Sequence, residues 1–213
     1  MGATWQATGR YSIASAPGTL GLIHDLLNTV PAGRPRTADL LADTGTAQKW
    51  VDSALAAWAD TAHQPVPRIR LDEEDLVRLR DLRRALRDSV TPPEDGEPVP
   101  HDGDPTPQEP VGTPVVESAH ASLGLDAAGA VHLAPRGGGA GFLIATLLLT
   151  LWQAQNSGDR QRLKLCRNPR CAVAFYDRSR NNSGVWHDVR TCGNAANLRA
   201  HRARQRDTAA SQP

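Results

Sequence analysis

The chain has 213 residues, with 24 Lys/Arg against 23 Asp/Glu. That length allows one medium domain and a small one, and the longest apolar run, residues 142–152, is far short of the roughly 20 residues that a membrane-spanning helix needs. The near-zero net charge hides an asymmetry: residues 159–213 carry 12 Lys/Arg and 4 Asp/Glu, and residues 1–158 carry 12 and 19, which suggests a polyanion-binding end on an acidic body.

The first residues show no basic stretch before an apolar one, and Gln6 stands where a myristoylation signal wants Ser or Thr. Neither a signal peptide nor N-terminal myristoylation is expected. Residues 10–30 read as a short strand, a Pro17-Gly18 turn and a helix whose buried face is Leu20, Ile23, Leu26 and Leu27. A second helix is predicted from about 46 to 61, with Trp50, Leu55 and Trp58 as its bulk and Pro65 and Pro67 beyond its end. Asp72 reads as the N-cap of a third, with Glu73, Glu74 and Asp75 on the dipole-favoured first turn. Leu76, Leu79, Leu82, Leu86 and Val90 form its apolar stripe, and Arg78, Arg80, Arg83, Arg84 and Arg87 read as a solvated face opposite. Asn28, Thr29 and Asp39 read as structural caps or ligand contacts, with the structural role favoured.

Residues 91–114 hold eight of the sixteen prolines and six acids, a composition that cannot bury enough surface to fold. They are expected to be a flexible insertion. A β-hairpin is predicted within 115–135 around residues 126–129. Residues 137–141 break the chain; they lack the Gly-Lys-Ser/Thr ending of a phosphate loop. A buried helix follows over 140–156.

The three cysteines all fall within residues 166–192. Cys166 and Cys171 are separated by four residues, and so are His187 and Cys192. A tetrahedral Zn²⁺ takes four thiolate or imidazole donors, and paired short loops deliver them two at a time. Pro169 favours the tight turn that the first pair requires. An odd, clustered cysteine set is unlike a secreted disulfide framework, so a reducing cytoplasm is expected. A catalytic ion held by the cysteines alone, with water in the fourth place, would need a general base, and the local acids are only Asp177 and Asp188. The site is therefore read as structural, and no enzyme is expected. Residues 172–176 should form a strand, with Phe175 and Trp186 as a small core that depends on the metal to fold.

Past Cys192, Asn194 suits an N-cap, and residues 195–206 should be helical with Ala196, Ala200 and Ala203 along one side. Arg199, Arg202 and Arg206 form a stripe about 90° round and Arg204 lies on the other flank. With Arg178, Arg180, Arg190, Asn194 and Asn197 they are the candidate nucleic-acid contacts, Arg for phosphates or guanine edges and Asn197 for adenine. Single-stranded RNA would require stacking platforms, for which only Phe175, Tyr176 and Trp186 are present in this region.

This region resembles the CGNR-type zinc finger in Cys166, Cys171, Phe175, Asp177, Ser179, Arg180, Asn181, Trp186, Cys192, Gly193 and Asn194. It departs at His187, where that family usually has Cys, and at Ala195, where the signature Arg is replaced and its contacts are lost. Upstream, residues 16–20, 25–29, 39–41, 50–51 and 79–86 resemble the ABATE domain that accompanies this finger. The resemblance implies stress-related transcription regulators, with DNA binding by the finger and sensing by the larger domain.

The expected fold is α+β: a mostly helical domain over 1–158 with a small β-hairpin, a zinc-ribbon-like finger over 159–206 ending in a basic helix, and a disordered tail over 207–213. The expected function is a cytoplasmic, nucleoid-associated DNA-binding regulator with one structural Zn²⁺. A small-molecule effector and a homodimer stay open as partners, and a ligand-binding or protein-interaction module stapled by zinc is the alternative.

Overall fold

The computed structural model describes residues 4–90, 117–194 and 198. In chain order they form α1 (Gln6–Gly9), α2 (Leu20–Leu27), α3 (Thr44–Ala62), α4 (Glu73–Val90), the hairpin β1 (Ala121–Leu125) and β2 (Val131–Pro135), and α5 (Gly139–Ser157). A 3₁₀ turn (Asp159–Arg162), β3 (Leu163–Leu165), β4 (Ala174–Tyr176) and a π turn (Val189–Gly193) complete the order. The fold is α+β, with helices dominant and two separate two-stranded antiparallel sheets.

A helix apolar on nearly every side has to be surrounded. All eight residues of α2 are buried, and α1, α3, α4, α5 and β4 all pack on it. Trp5 lies so close that a Cβ at Gly21 would stand 2.3 Å from its ring, so the glycine there is a matter of space. Trp50 and Leu55 of α3, Leu76 and Leu79 of α4, and Leu143, Ile144 and Leu147 of α5 fill the same core.

The strand expected after residue 10 is absent. The polar groups that would have paired with a neighbouring strand are taken locally or by side chains: Tyr11 N–H donates to Thr8 O at 3.1 Å and Ala16 N–H to His24 Nδ1 at 3.1 Å. Helix α3 starts earlier than its apolar spacing suggests because Asp43 Oδ1 accepts the Thr46 N–H at 2.8 Å. Its other end closes on His63 in the left-handed region, φ 53°. Asp72 caps α4 as expected, accepting from Asp75 N–H at 2.8 Å.

The arginines of α4 are not a solvated face. Arg83 is buried, donating to Asp39 at 2.6 and 3.0 Å and to Thr29 Oγ1 at 3.0 Å. Arg87 donates to Leu27 O and Ala172 O, Arg80 to Leu41 O and Ala42 O, and Arg78 pairs with Glu117. Only Arg84, paired with Asp81, lies out in solvent. Helical spacing tells which residues oppose the stripe; it is silent about the loops lying beside them, whose carbonyls need donors.

The hairpin forms where predicted, with Leu123 opposite Leu133 and Asp126 Oδ1 accepting Ala128 and Ala130 N–H in the turn. Helix α5 is buried on one side and leaves Trp152 half exposed. The residues of the expected 91–114 insertion, of the basic helix other than Leu198, and of the tail lie outside the described ones.

Candidate metal centre

Strand β3 delivers Cys166 and β4 leads away from Cys171, the two strands pairing Leu163 with Tyr176 and Leu165 with Ala174. The ladder runs on past the strands, Cys166 N–H donating to Val173 O at 2.9 Å. Between the cysteines the chain turns tightly about Asn168 and Pro169, with Cys171 N–H on Asn168 O at 2.8 Å. The second pair is shaped by Asp188. Its carboxylate accepts from Arg190 N–H at 2.7 Å and its carbonyl accepts from Cys192 N–H at 2.9 Å, curling the π turn that brings Cys192 back.

The donor atoms of Cys166, Cys171, His187 and Cys192 all lie within 4.8 Å of one another, and no other His, Cys, Asp or Glu cluster among the described residues comes together this way. A tetrahedral ion with bonds of about 2.0–2.3 Å sets its donors roughly 3.3–3.8 Å apart. Cys171 Sγ and His187 Nδ1 already stand at 3.4 Å, so the imidazole faces the sulfurs through Nδ1. The three cysteines are buried and unpaired by disulfides, and His187 is half-buried. Three sulfurs and an imidazole fit a borderline-soft divalent ion with a closed, four-ligand shell.

The thiols share protons as crowded acids do. The hydrogen bond from Cys171 pulls Cys166 down to about 4, and the same contact pushes Cys171 up. A cation replaces those protons, so binding releases them. Asn168, buried, donates Nδ2–H to Cys192 Sγ at 3.3 Å. This outer contact steadies a thiolate, and nothing in the cysteine spacing announced it.

The loop between the pairs hangs on Asp177. Burial opposes its ionisation, but Lys164 Nζ at 2.7 Å, Gly184 N–H at 2.6 Å and Ser179 N–H at 2.8 Å outweigh that and hold its carboxyl far below the usual range. A Cβ at Gly184 would meet this carboxylate at 2.7 Å. Trp186 packs against the cysteines as expected, joined by Tyr11, Ile13, Val30 and Ala32. Phe175 is buried but lies outside that cluster.

The centre is thus built partly from the helical body. Asn28 clasps β4 on both sides, accepting Ala174 N–H at 2.9 Å and donating to Ala174 O at 3.0 Å. Gly33 N–H donates to Cys171 O at 2.9 Å. Asn28 and Thr29 are structural, as read, and Asp39 holds Arg83. A cleft of about 410 Å³, lined by Arg10, Tyr11, Arg34, His187 and Cys192 among others, opens beside the ligands and gives an ion a way in.

Of the candidate nucleic-acid contacts, Arg180, Arg190 and Asn194 are exposed. Arg178 is exposed yet tied down, donating to Ser15 O at 2.6 Å and lying over the Tyr176 ring. Asn194 is not the expected N-cap: its dihedrals are helical (φ −61°, ψ −40°), and it closes the C-terminal end of the π turn that Asp188 caps at the start. Asn197, Arg199, Arg202, Arg204 and Arg206 lie outside the described residues. Arg167 and Arg170 are exposed cations on the first metal loop that the sequence reading left out.

The CGNR zinc finger family model matches residues 162–205 of the chain. That span contains all four candidate donors, Asn168 and Asp177. No curated protein matches the chain. No helix of the described residues is long and apolar enough to cross a membrane.

Proposed function

We propose that the chain is a DNA-binding transcription regulator, in which one structural Zn²⁺ on Cys166, Cys171, His187 and Cys192 rigidifies a cationic surface for the phosphate backbone. The observation that carries this reading is where the acids of the finger go. Asp159 accepts from Tyr176 and Ser157, Asp177 is spent on Lys164 and the 179–184 loop, and Asp188 caps the π turn. Arg167, Arg170, Arg180 and Arg190 are exposed, and none has a carboxylate partner among the described residues. A metal-stiffened module whose carboxylates are engaged by its own donors and whose guanidinium groups face outward suits a polyanion.

The same commitments support a structural ion over a catalytic one, since Asp177 and Asp188 are not free to move protons. The residues upstream of the finger are read as an ABATE-type sensing domain, and a cytoplasmic, nucleoid-associated location follows from the DNA partner. Self-association belongs to the same reading: Leu123, Leu125 and Val131 of the hairpin are exposed apolar side chains. Sedimentation of Leu123→Ser/Leu125→Ser tests it, a shift from dimer to monomer being expected.

Fluorescence anisotropy with duplex DNA at increasing salt tests the main proposal. The log of the binding constant should fall linearly with log salt, with a slope of about −0.9 per phosphate neutralised. Arg180→Ala, Arg190→Ala, Arg199→Ala and Arg202→Ala should each make that slope shallower by about 1. Binding that ignores ionic strength, or no binding by a metal-loaded chain, removes the proposal.

A further inference from the structure

Among the described residues, two buried side-chain polar atoms lack a hydrogen-bond partner: Arg160 Nε and Asn182 Oδ1. Buried polar groups in native proteins are nearly always paired, so each orphan calls for an explanation. Both residues line one cavity of about 400 Å³, set between the end of α4, β3 and residues 182–185. That volume lies in the range of small-molecule sites.

The rest of the lining defines the chemistry. Val90, Leu163, Leu165 and Val185 supply apolar wall, and Arg167 a second guanidinium. Lys164 also lines the cavity, but its ammonium is committed to Asp177 Oδ2 at 2.7 Å and to the carbonyls of Asn182 and Gly184. Neither Arg160 nor Arg167 has a carboxylate partner among the described residues. The Asn182 amide is oriented by its Nδ2–H on Gln161 O at 3.2 Å, which leaves Oδ1 as the acceptor without a donor.

One orphan is a donor beside positive charge, and the other is an acceptor. We propose that this cavity binds a small amphiphilic carboxylic acid with a hydroxyl or amino group next to its carboxylate. The carboxylate accepts from Arg160, the neighbouring O–H or N–H reaches Asn182 Oδ1, and the apolar body lies on Leu163, Leu165 and Val185. Arg167 N–H donates to Val185 O at 3.0 Å, so the occupant rests on the two loops that carry Cys166 and His187. The site stands whether or not the finger binds DNA.

Calorimetric titration of the full, metal-loaded chain with salicylate tests it, since that probe combines carboxylate, adjacent hydroxyl and an apolar ring. Saturable binding near 0.1 mM is expected, with benzoate and salicylamide each weaker by about tenfold. Arg160→Met and Asn182→Gly should each weaken salicylate by about tenfold; glycine suits position 182, where φ is +50°. Methyl NMR of the unaltered chain keeps the test independent of how the variants fold: salicylate should shift Val90, Leu163, Leu165 and Val185. No saturation by about 10 mM, methyl shifts located elsewhere, or folded variants that bind as well as the unaltered chain would each overturn the proposal.

Discussion

His187 is the residue at which chemistry and pattern can be separated. If it acts only as a metal donor, His187→Cys should keep about one zinc per chain, because a fourth thiolate is an equally good ligand. His187→Ala should lose at least about tenfold in zinc affinity in a chelator competition. Asn168→Ala should weaken zinc less than the loss of a ligand, since it removes an N–H···S contact and leaves the shell intact. His24 makes a different prediction, on stability. Its Nδ1 accepts the Ala16 N–H and its Nε2–H donates to Ala174 O at 2.9 Å, so the ring is neutral, and burial lowers it from 6.5 to about 4. Between those pH values the unfolded chain binds the proton and the folded chain refuses it. Stability is therefore full above about pH 6.5, falls on acidification, and has lost about 3 kcal/mol through this group below pH 4. Asp25 works in the opposite sense, since desolvation raises its carboxyl. Urea unfolding across pH 4–7 should show a smaller acid loss for His24→Gln than for the unaltered chain; equal slopes would refute the role given to this ring.

Among the elements, α2 and α4 teach opposite lessons. The eight residues of α2 are so apolar that burial follows directly, but the fit of Gly21 against Trp5 depends on a residue sixteen positions earlier in the chain. Gly21→Ala should cost about 1–3 kcal/mol through overpacking, read in a denaturant titration. Helix α4 was predicted in extent and in its leucine stripe, while its arginines were assigned to solvent. They instead hold loop carbonyls and Asp39, because a guanidinium on a long stem can serve any neighbour within reach. Arg83→Met should destabilise by about 2 kcal/mol by leaving Asp39 and Thr29 without their donor. The missing strand after residue 10 has the same origin: a β-branched and aromatic run becomes a strand only where another strand offers it a ladder.

Across the whole molecule, the finger and the helical body share residues. Asn28 brackets Ala174, His24 reaches the same carbonyl, Arg87 joins Leu27 to Ala172, and Leu163 and Ala174 lie in the main core. Removing the metal should therefore lower the stability of the entire chain in one thermal transition. Two well-separated transitions after chelation, with the first confined to residues 159–194, would show that these contacts do not couple the parts.

The clustering of Cys166, Cys171, His187 and Cys192, the helices with a clean apolar period and the hairpin were legible in the linear order of residues. Each depends on spacing along the chain: four residues between donors, 3.6 per helical turn, a turn between two alternating runs. The partners of the arginines, the Asn28 clasp, the Asn168 contact to sulfur and the cavity with its two orphan polar atoms were not legible. Each joins positions distant in the chain or depends on a local turn that spacing does not describe, and such proximity exists only after the core has packed. The metal centre draws on both, since its donors are local pairs while Tyr11, Ile13, Val30 and Ala32 behind them come from the other end of the chain.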